Sequence, residues 1–272
     1  MIFLIMTTNS MNFELISQEI MNFIKKETES RKSDGVVLGI SGGIDSTVLA
    51  YLATRAIGPE KVKGLILPDE IVTPSSDIDD ALTICTTLKI EFEKIYINKP
   101  KNSFIEIIKP TDNMLLSGNL VARIRMCVLY YYSGLMGRLV LGSSNKSELM
   151  LGYFTKYGDG AADLLPLGDL YKTQLLDLAK YLEIPGFLID KKSSARLWAG
   201  QFTEDELGLP FIKLDQMLQI FESTNKVEDG IQSISNKFPG VSLEVIQQVS
   251  NRIKNNQHKL TFPPIFKILR KN

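Results

Sequence analysis

This 272-residue sequence predicts an α/β fold, a parallel sheet with helices on both faces. Short apolar runs alternate with segments of helical apolar spacing, and strands separated by helices imply right-handed crossovers. A glycine turn, GISGGIDS at 39–46, joins the first such run to the helix after it.

Taken in order, Phe13, Ile16, Ile20, Phe23 and Ile24 recur at helical spacing and place an amphipathic helix at about 13–31. GVVLGI (35–40) reads as a strand, and STVLAYLATRAIG as a helix ended by Gly58 and Pro59. VKGLILP is a second strand, SSDIDDALTICTTLK a helix, and EFEKIYIN (91–98) a third strand. A long helix, NLVARIRMCVLYYYSGLM, is expected after Gly118, and RLVLGSS closes the series as a strand. After about Ser147 the pattern changes to glycine-rich loops and helices, with YKTQLLDLAKYL and SLEVIQQVSNRIKNNQ the clearest. Without a low-complexity linker or internal repeat, the chain reads as one domain, with an α/β core at about 35–185 and C-terminal helices and loops at about 186–272. The loops FTKYGDGAAD and DKKSSARLWAGQ set polar residues beside glycine, as binding loops do.

Lys+Arg and Asp+Glu both total 31, so no broad basic face is implied for nucleic acid or a membrane. Neither Cys85 nor Cys127 lies in a C-x-x-C pair, and His258 is the only histidine, so both cysteines are expected to be buried thiols in a reducing cytoplasm. The opening MIFLIM is short and lacks a basic leader, which argues against a secretory signal; Met6 and Met11 are alternative starts to Met1.

The turn itself carries the chemistry. Gly42 and Gly43 allow dihedrals that expose successive N–H groups where the next helix begins, Ser41 and Ser46 add hydroxyls, and the helix dipole favours an anion, so phosphate is the natural occupant. The stretch matches neither a Walker A loop nor a dinucleotide fingerprint. Asp45 would repel a polyphosphate unless Mg²⁺ lay between them, so the carboxylate predicts that ion. The plain alternative is a helix start with two small residues for packing.

S-G-G-x-D-S after a strand resembles the pyrophosphate loop of the N-type ATP pyrophosphatases, whose fold is adenine nucleotide alpha hydrolase-like. Within that class GNLVARIRM, LGSSNKSELMLGYFTKYGDGAADLLPLGDLYKTQ, SSARLWAGQ and HK together resemble the NAD synthetases over most of the chain. The resemblance implies ATP- and magnesium-dependent joining of ammonia to the nicotinate carboxylate of deamido-NAD by a homodimer, through an adenylated carboxylate, as the final step of NAD biosynthesis. It implies ATP contacts at Gly39, Ile40, Ser41, Gly42, Gly43, Ile44, Asp45, Ser46, Ser143, Lys172 and Ser194. Asp45 and Glu148 would hold magnesium, and Arg123, Lys156, Asp163, His258 and Lys259 would meet deamido-NAD. Asp45, Lys172 and Asp163 are the expected catalytic set, with Asp163 the candidate nearest the reacting carboxylate.

Arg125 is expected to be a surface or dimer-interface charge, and Asp77, Asp79 and Asp80 favourable acids in a helix's first turn. Asp69 and Ser75 are expected to contact phosphate. The chain departs from the family's usual residues at Arg196, where glycine is common, at Phe202 and Thr203, where threonine and aspartate are usual, and at Leu260, where a basic residue is usual. With a single helix ahead of the core and no nucleophile system for glutamine, free ammonia is the expected donor unless a separate glutaminase subunit delivers it. The competing readings are an adenylating enzyme acting on tRNA and a non-catalytic nucleotide sensor.

Overall fold

The computed structural model describes residues 11–109 and 111–268, so the MIFLIM segment lies outside the described residues. The chain runs α1 (Phe13–Ser30), β1 (Val36–Gly39), α2 (Ile44–Ile57), β2 (Val62–Ile66), α3 (Ser75–Leu88), β3 (Glu91–Lys94), α4 (Asn98–Ile107), α5 (Met114–Met136) and β4 (Leu139–Leu141). The remainder is helical: α6 (Lys146–Leu151), α7 (Lys172–Tyr181), α8 (Gly186–Ile189), α9 (Thr203–Leu207), α10 (Phe211–Ser223), α11 (Val227–Lys237) and α12 (Leu243–Asn256).

Four parallel strands form one sheet in the order β3-β2-β1-β4, with Val36 opposite Val62 on one side and Leu139 on the other. Residues alternate between the two faces of β1, as the period of a strand requires. Val36 and Leu38 pack with Leu49 and Leu52 of α2, and this core extends to Ile24 of α1 and Leu175 of α7. Val37 packs the other way, with Val121 and Ile124 of α5. A separate core of Leu214, Met217, Ile234 and Ile246 joins α10, α11 and α12 to the end of α6. Lys63 is a buried lysine in a central strand; Glu91 and Glu93 of edge strand β3 accept its charge at 2.7 and 3.9 Å.

Three expectations are corrected. The third strand ends at Lys94 because the chain lifts into α4, although Ile95 and Ile97 still donate to Ile66 and Pro68 carbonyls. The long helix begins at Met114, not after Gly118. That glycine sits inside the helix because a Cβ there would lie 2.6 Å from Leu197 Cβ, so its role is close packing rather than a break. Cys85 is buried, which pushes its thiol up to about 12, but Cys127 is exposed. Cys127 shares the outer stripe of α5 with Arg123 and Tyr131, four residues to either side.

This topology places the site. β1 sits between β2 and β4, and the chain leaves β1 toward β2 but reaches β4 only after β3, α4 and α5. The loops leaving the carboxyl ends of β1 and β4 therefore diverge, and the crevice between them is where open α/β sheets bind ligands.

Candidate active site

The loop leaving β1 is the glycine turn. Gly42 has φ +74°, and a Cβ on it would lie 2.2 Å from the Asp77 carbonyl oxygen, so both dihedral and space demand glycine. Gly43 is the N-cap of α2 without any side-chain cap, which leaves first-turn N–H groups for a ligand. The serines brace the turn from within: Ser41 N–H donates to Ser46 Oγ (3.2 Å), Ser46 Oγ to the Gly43 carbonyl (3.0 Å), and Gly43 N–H to Ser41 Oγ (3.2 Å).

Asp45, in the first turn of α2, meets residues brought by the loop after β4. Asn145 caps α6, donates its Nδ2 to Asp45 Oδ1 at 2.9 Å, and gives its backbone N–H to Glu148 Oε2 at 3.1 Å. One asparagine thus spans the two carboxylates. Lys172, the first residue of α7, is buried and places Nζ 2.5 Å from Asp45 Oδ2. Its helix start is fixed by a side chain that the sequence reading missed. Asp215 of α10 accepts Ser147 Oγ at 2.5 Å and Thr173 N–H at 2.8 Å, while Ser147 Oγ in turn accepts Lys172 N–H at 2.9 Å. Asp215 lies among the apolar residues of FIKLDQML, and a lone buried acid on an apolar helix face is the only signal the sequence offered.

Desolvation, then the nearby Asp45 charge, raises the Glu148 carboxyl to about 8, against the opposing pull of Lys172. Glu148 is therefore held in its protonated form beside the Asp45–Lys172 pair, and a cation entering between the two carboxyls would favour its ionised form. No cluster of three or more metal-ligating side chains occurs among the described residues, so a cation held by this pair would take its other ligands from phosphate and water. That donor set suits Mg²⁺.

The turn, Asp45, Glu148 and Ser143 line a single cavity of about 810 Å³, the size class of ligand pockets. A family model described as NAD synthase matches residues 16–263. The chain belongs to the NAD synthase family. It is 42% identical over 258 residues to the NH3-dependent NAD+ synthetase of Archaeoglobus fulgidus, covering 95% of this chain and 98% of that one. Among solved structures it resembles an NMN synthetase from Francisella tularensis, with TM-score 0.83, 33% identity, and 95% and 100% of the two chains covered. It also resembles an NH3-dependent NAD synthetase from Campylobacter jejuni bound to nitrate, with TM-score 0.78, 34% identity and the same coverage.

Against the site expected from the family, the structure sorts the residues into two groups. Ser41, Asp45, Ser46, Ser143, Glu148 and Ser194 line the cavity, and Gly42 and Lys172 touch that lining through Lys191 and Asp45. A second group gathers where the loop 152–163 meets the end of α12. Arg123 donates to the Lys156 carbonyl, Lys156 Nζ to the His258 carbonyl at 2.5 Å, and Lys259 Nζ to the Gly152 and Phe154 carbonyls at 2.6 and 2.9 Å. Of the four expected side chains Arg123, Lys156, His258 and Lys259, Lys259 lines the cavity, together with its partners Gly152 and Phe154. Asp163 does not face the cavity: its Oδ2 accepts Val140 N–H at 2.7 Å beside the Tyr130 hydroxyl, and so anchors the segment flanking β4. The carboxylate that opens into the cavity from that loop is Asp159, whose pKa burial raises despite the Thr155 N–H it accepts.

Arg125 is the clearest correction. It is not a surface charge: its Nε donates to the Leu67 carbonyl at 3.0 Å, its guanidinium lines the cavity, and desolvation lowers its pKa against the pull of Asp69 and Asp159. Two helical positions from Arg123, it necessarily faces another way. Asp69 is fully buried and structural, ion-paired with Lys101 at 2.7 Å and joined to Asn98, while Ser75 is exposed and outside the cavity lining.

Asp77 and Asp80 are also more than helix-start acids. Asp77 accepts Arg196 Nε at 2.7 Å and Lys191 Nζ at 2.8 Å, and Asp80 accepts Lys191 Nζ at 2.5 Å, so both tie the loop 190–202 down beside the phosphate turn. Two of the departures from the family meet here, because the Arg196 guanidinium lies 5.9 Å from the centre of the Phe202 ring, with Lys192 Nζ at 5.3 Å. The far end of the loop is held by Gln201, which donates to the Tyr153 hydroxyl and Glu206 and accepts Leu197 N–H.

Proposed function

We propose that the chain catalyses ATP-dependent amidation of deamido-NAD with ammonia, giving NAD, AMP and pyrophosphate as the final step of NAD biosynthesis. The observation that carries the reading is the convergence of Asp45, Glu148 and Lys172 on an uncapped helix start at the crevice between β1 and β4. A non-catalytic nucleotide sensor needs no such charged set.

The chemistry follows from the poor reactivity of a carboxylate. A nicotinate oxygen attacks the α-phosphorus, the bond to the β-phosphate bridging oxygen breaks, and pyrophosphate leaves. Ammonia then attacks the acyl carbon, the acyl C–O bond to AMP breaks with its electron pair leaving on the AMP oxygen, and the nitrogen loses a proton. The N–H groups at the α2 start would hold the charge of the departing pyrophosphate, with the Lys172 ammonium acting beside Asp45. Asp45 and Glu148 would hold Mg²⁺, which neutralises polyphosphate charge when bound. Asp159, open to the cavity with a raised pKa, takes over from Asp163 the role of the carboxylate near the attacking nitrogen, where it accepts the proton. Arg123, Lys156, His258 and Lys259 form the second cluster, suited to the remote end of a dinucleotide, and the expected state is a cytoplasmic homodimer.

Purified protein with ATP, Mg²⁺, ammonium and deamido-NAD should form NAD and AMP in equal amounts, with little turnover on glutamine. Nicotinate mononucleotide belongs in the same assay, because a structural relative is an NMN synthetase. A higher kcat/KM on the mononucleotide would overturn the substrate assignment, and absence of AMP formation with either acid would overturn the reaction.

A further inference from the structure

The loop 190–202 carries Ser194, yet one of its side chains reaches the phosphate turn itself. Lys191 Nζ lies 2.9 Å from the Gly42 carbonyl oxygen, as well as on Asp80 and Asp77, so its three donors have three acceptors. Gly42 is the residue whose left-handed φ shapes the turn, and its Cα rests on the Asp77 backbone carbonyl. The first turns of α3 therefore hold Gly42 twice, by direct contact and through the lysine that Asp77 and Asp80 grip.

The consequence is geometric. A trans peptide is planar, so the Gly42 C=O and the Gly43 N–H point in opposite directions. Pinning that oxygen to Lys191 fixes the N–H toward the interior of the turn, where Ser41 Oγ accepts it at 3.2 Å. The loop cannot lift away without taking Lys191 off the Gly42 oxygen and freeing that peptide to rotate. We propose that Lys191 is a positioning residue that couples the phosphate turn to the loop 190–202, so that the turn holds its anion-binding form only while the loop is down. Phosphate binding and loop closure are then one event, and the pyrophosphate leaves as the loop rises. This rests on the reading of the turn as the ATP phosphate site.

The molecule carries its own reporter, because Trp198, its single tryptophan, lies in this loop and lines the cavity. In the full chain, Mg-ATP should change Trp198 emission with the same midpoint that calorimetry gives for binding. Lys191→Met should raise the ATP Kd and KM on the order of tenfold, the worth of one charged hydrogen bond. It should leave the KM for deamido-NAD within about twofold and uncouple Trp198 emission from ATP binding. Lys191→Arg, which still reaches a carbonyl, should recover most of both. Asp80→Asn, a milder change should Lys191→Met misfold, should move ATP affinity the same way by a smaller factor.

A Lys191→Met protein with wild-type ATP affinity and Trp198 response overturns the coupling. Equal losses toward ATP and deamido-NAD, unrescued by arginine, also overturn it, since a merely structural lysine behaves so. Wild-type protein that binds no ATP overturns both this inference and the proposed function, whereas wild-type protein that makes NAD while Lys191→Met behaves normally overturns the coupling alone.

Discussion

Glu148 carries the electrostatic tension of the site. Desolvation first, and the Asp45 charge next, raise its carboxyl to about 8, while the unfolded chain keeps the ordinary value near 4.5. The sign follows from linkage. Below the unfolded value both states hold the proton and Glu148 has no effect. Between about 4.5 and 8 the unfolded state releases its proton first, so folding stability is progressively lost as pH rises through that window. Glu148→Gln carries no such proton, and should melt above wild type in metal-free buffer, by a margin that grows from pH 5 to pH 8. A margin that is flat or negative across that range would remove the assigned charge conflict. Activity should go the other way: Asp45→Asn should abolish turnover at low magnesium, and Glu148→Gln should raise the magnesium needed for half-maximal rate, both read from magnesium titrations of NAD formation. Asp45 was legible in the sequence because a carboxylate in a phosphate turn has few other uses. Asp215 was not, because its partners Ser147 and Thr173 lie far along the chain and only folding brings them together.

At the scale of elements, the loop 190–202 shows how two unusual residues make a local unit. Arg196 has φ +49°, a conformation that costs a non-glycine residue about 1 kcal/mol, at the position where the family resemblance leads to an expected glycine. Its guanidinium is held by Asp77 and by the face of Phe202, which offsets that strain. Arg196→Gly relieves the backbone and removes both contacts, so global stability should move by only about 1 kcal/mol or less. The loop itself should open more often, and limited trypsin digestion should cut faster after Lys191 and Lys192, sites that the substitution leaves in place. An unchanged cutting rate would mean that Arg196 does not hold the loop. Both contacts join residues far apart in sequence, which is why the loop read only as polar and glycine-rich. The strands were legible for the opposite reason: β1 and β2 are buried on both faces, and their composition alone marks them. Gly118 misled the helix boundary because packing against Leu197, not a chain reversal, selects glycine there.

At the scale of the molecule, α4 and α5 leave an apolar surface on one side of the sheet. Tyr131 and Leu135, one turn apart near the end of α5, are each 67% exposed, and Leu116 at its start and Ile107 at the end of α4 are also open to solvent. Exposed apolar side chains along one helix on a chain without net charge favour association. A two-fold arrangement would pair this surface with itself. The expected mass in sedimentation equilibrium is therefore twice the chain mass of 30.5 kDa, with a melting temperature that rises with protein concentration. Tyr131→Glu with Leu135→Glu should give the single-chain mass. The same helix presents Leu115, Asn119 and Arg125 to the cavity, so loosening α5 on its outer side should lower kcat/KM for NAD formation. The turn, Asp45 and Lys172 sit on α2 and α7 across the sheet, which should leave ATP affinity close to wild type in the same variant. A monomeric variant with unchanged kcat/KM would separate the interface from the site, and a wild-type monomer would leave the apolar face of α5 to another partner.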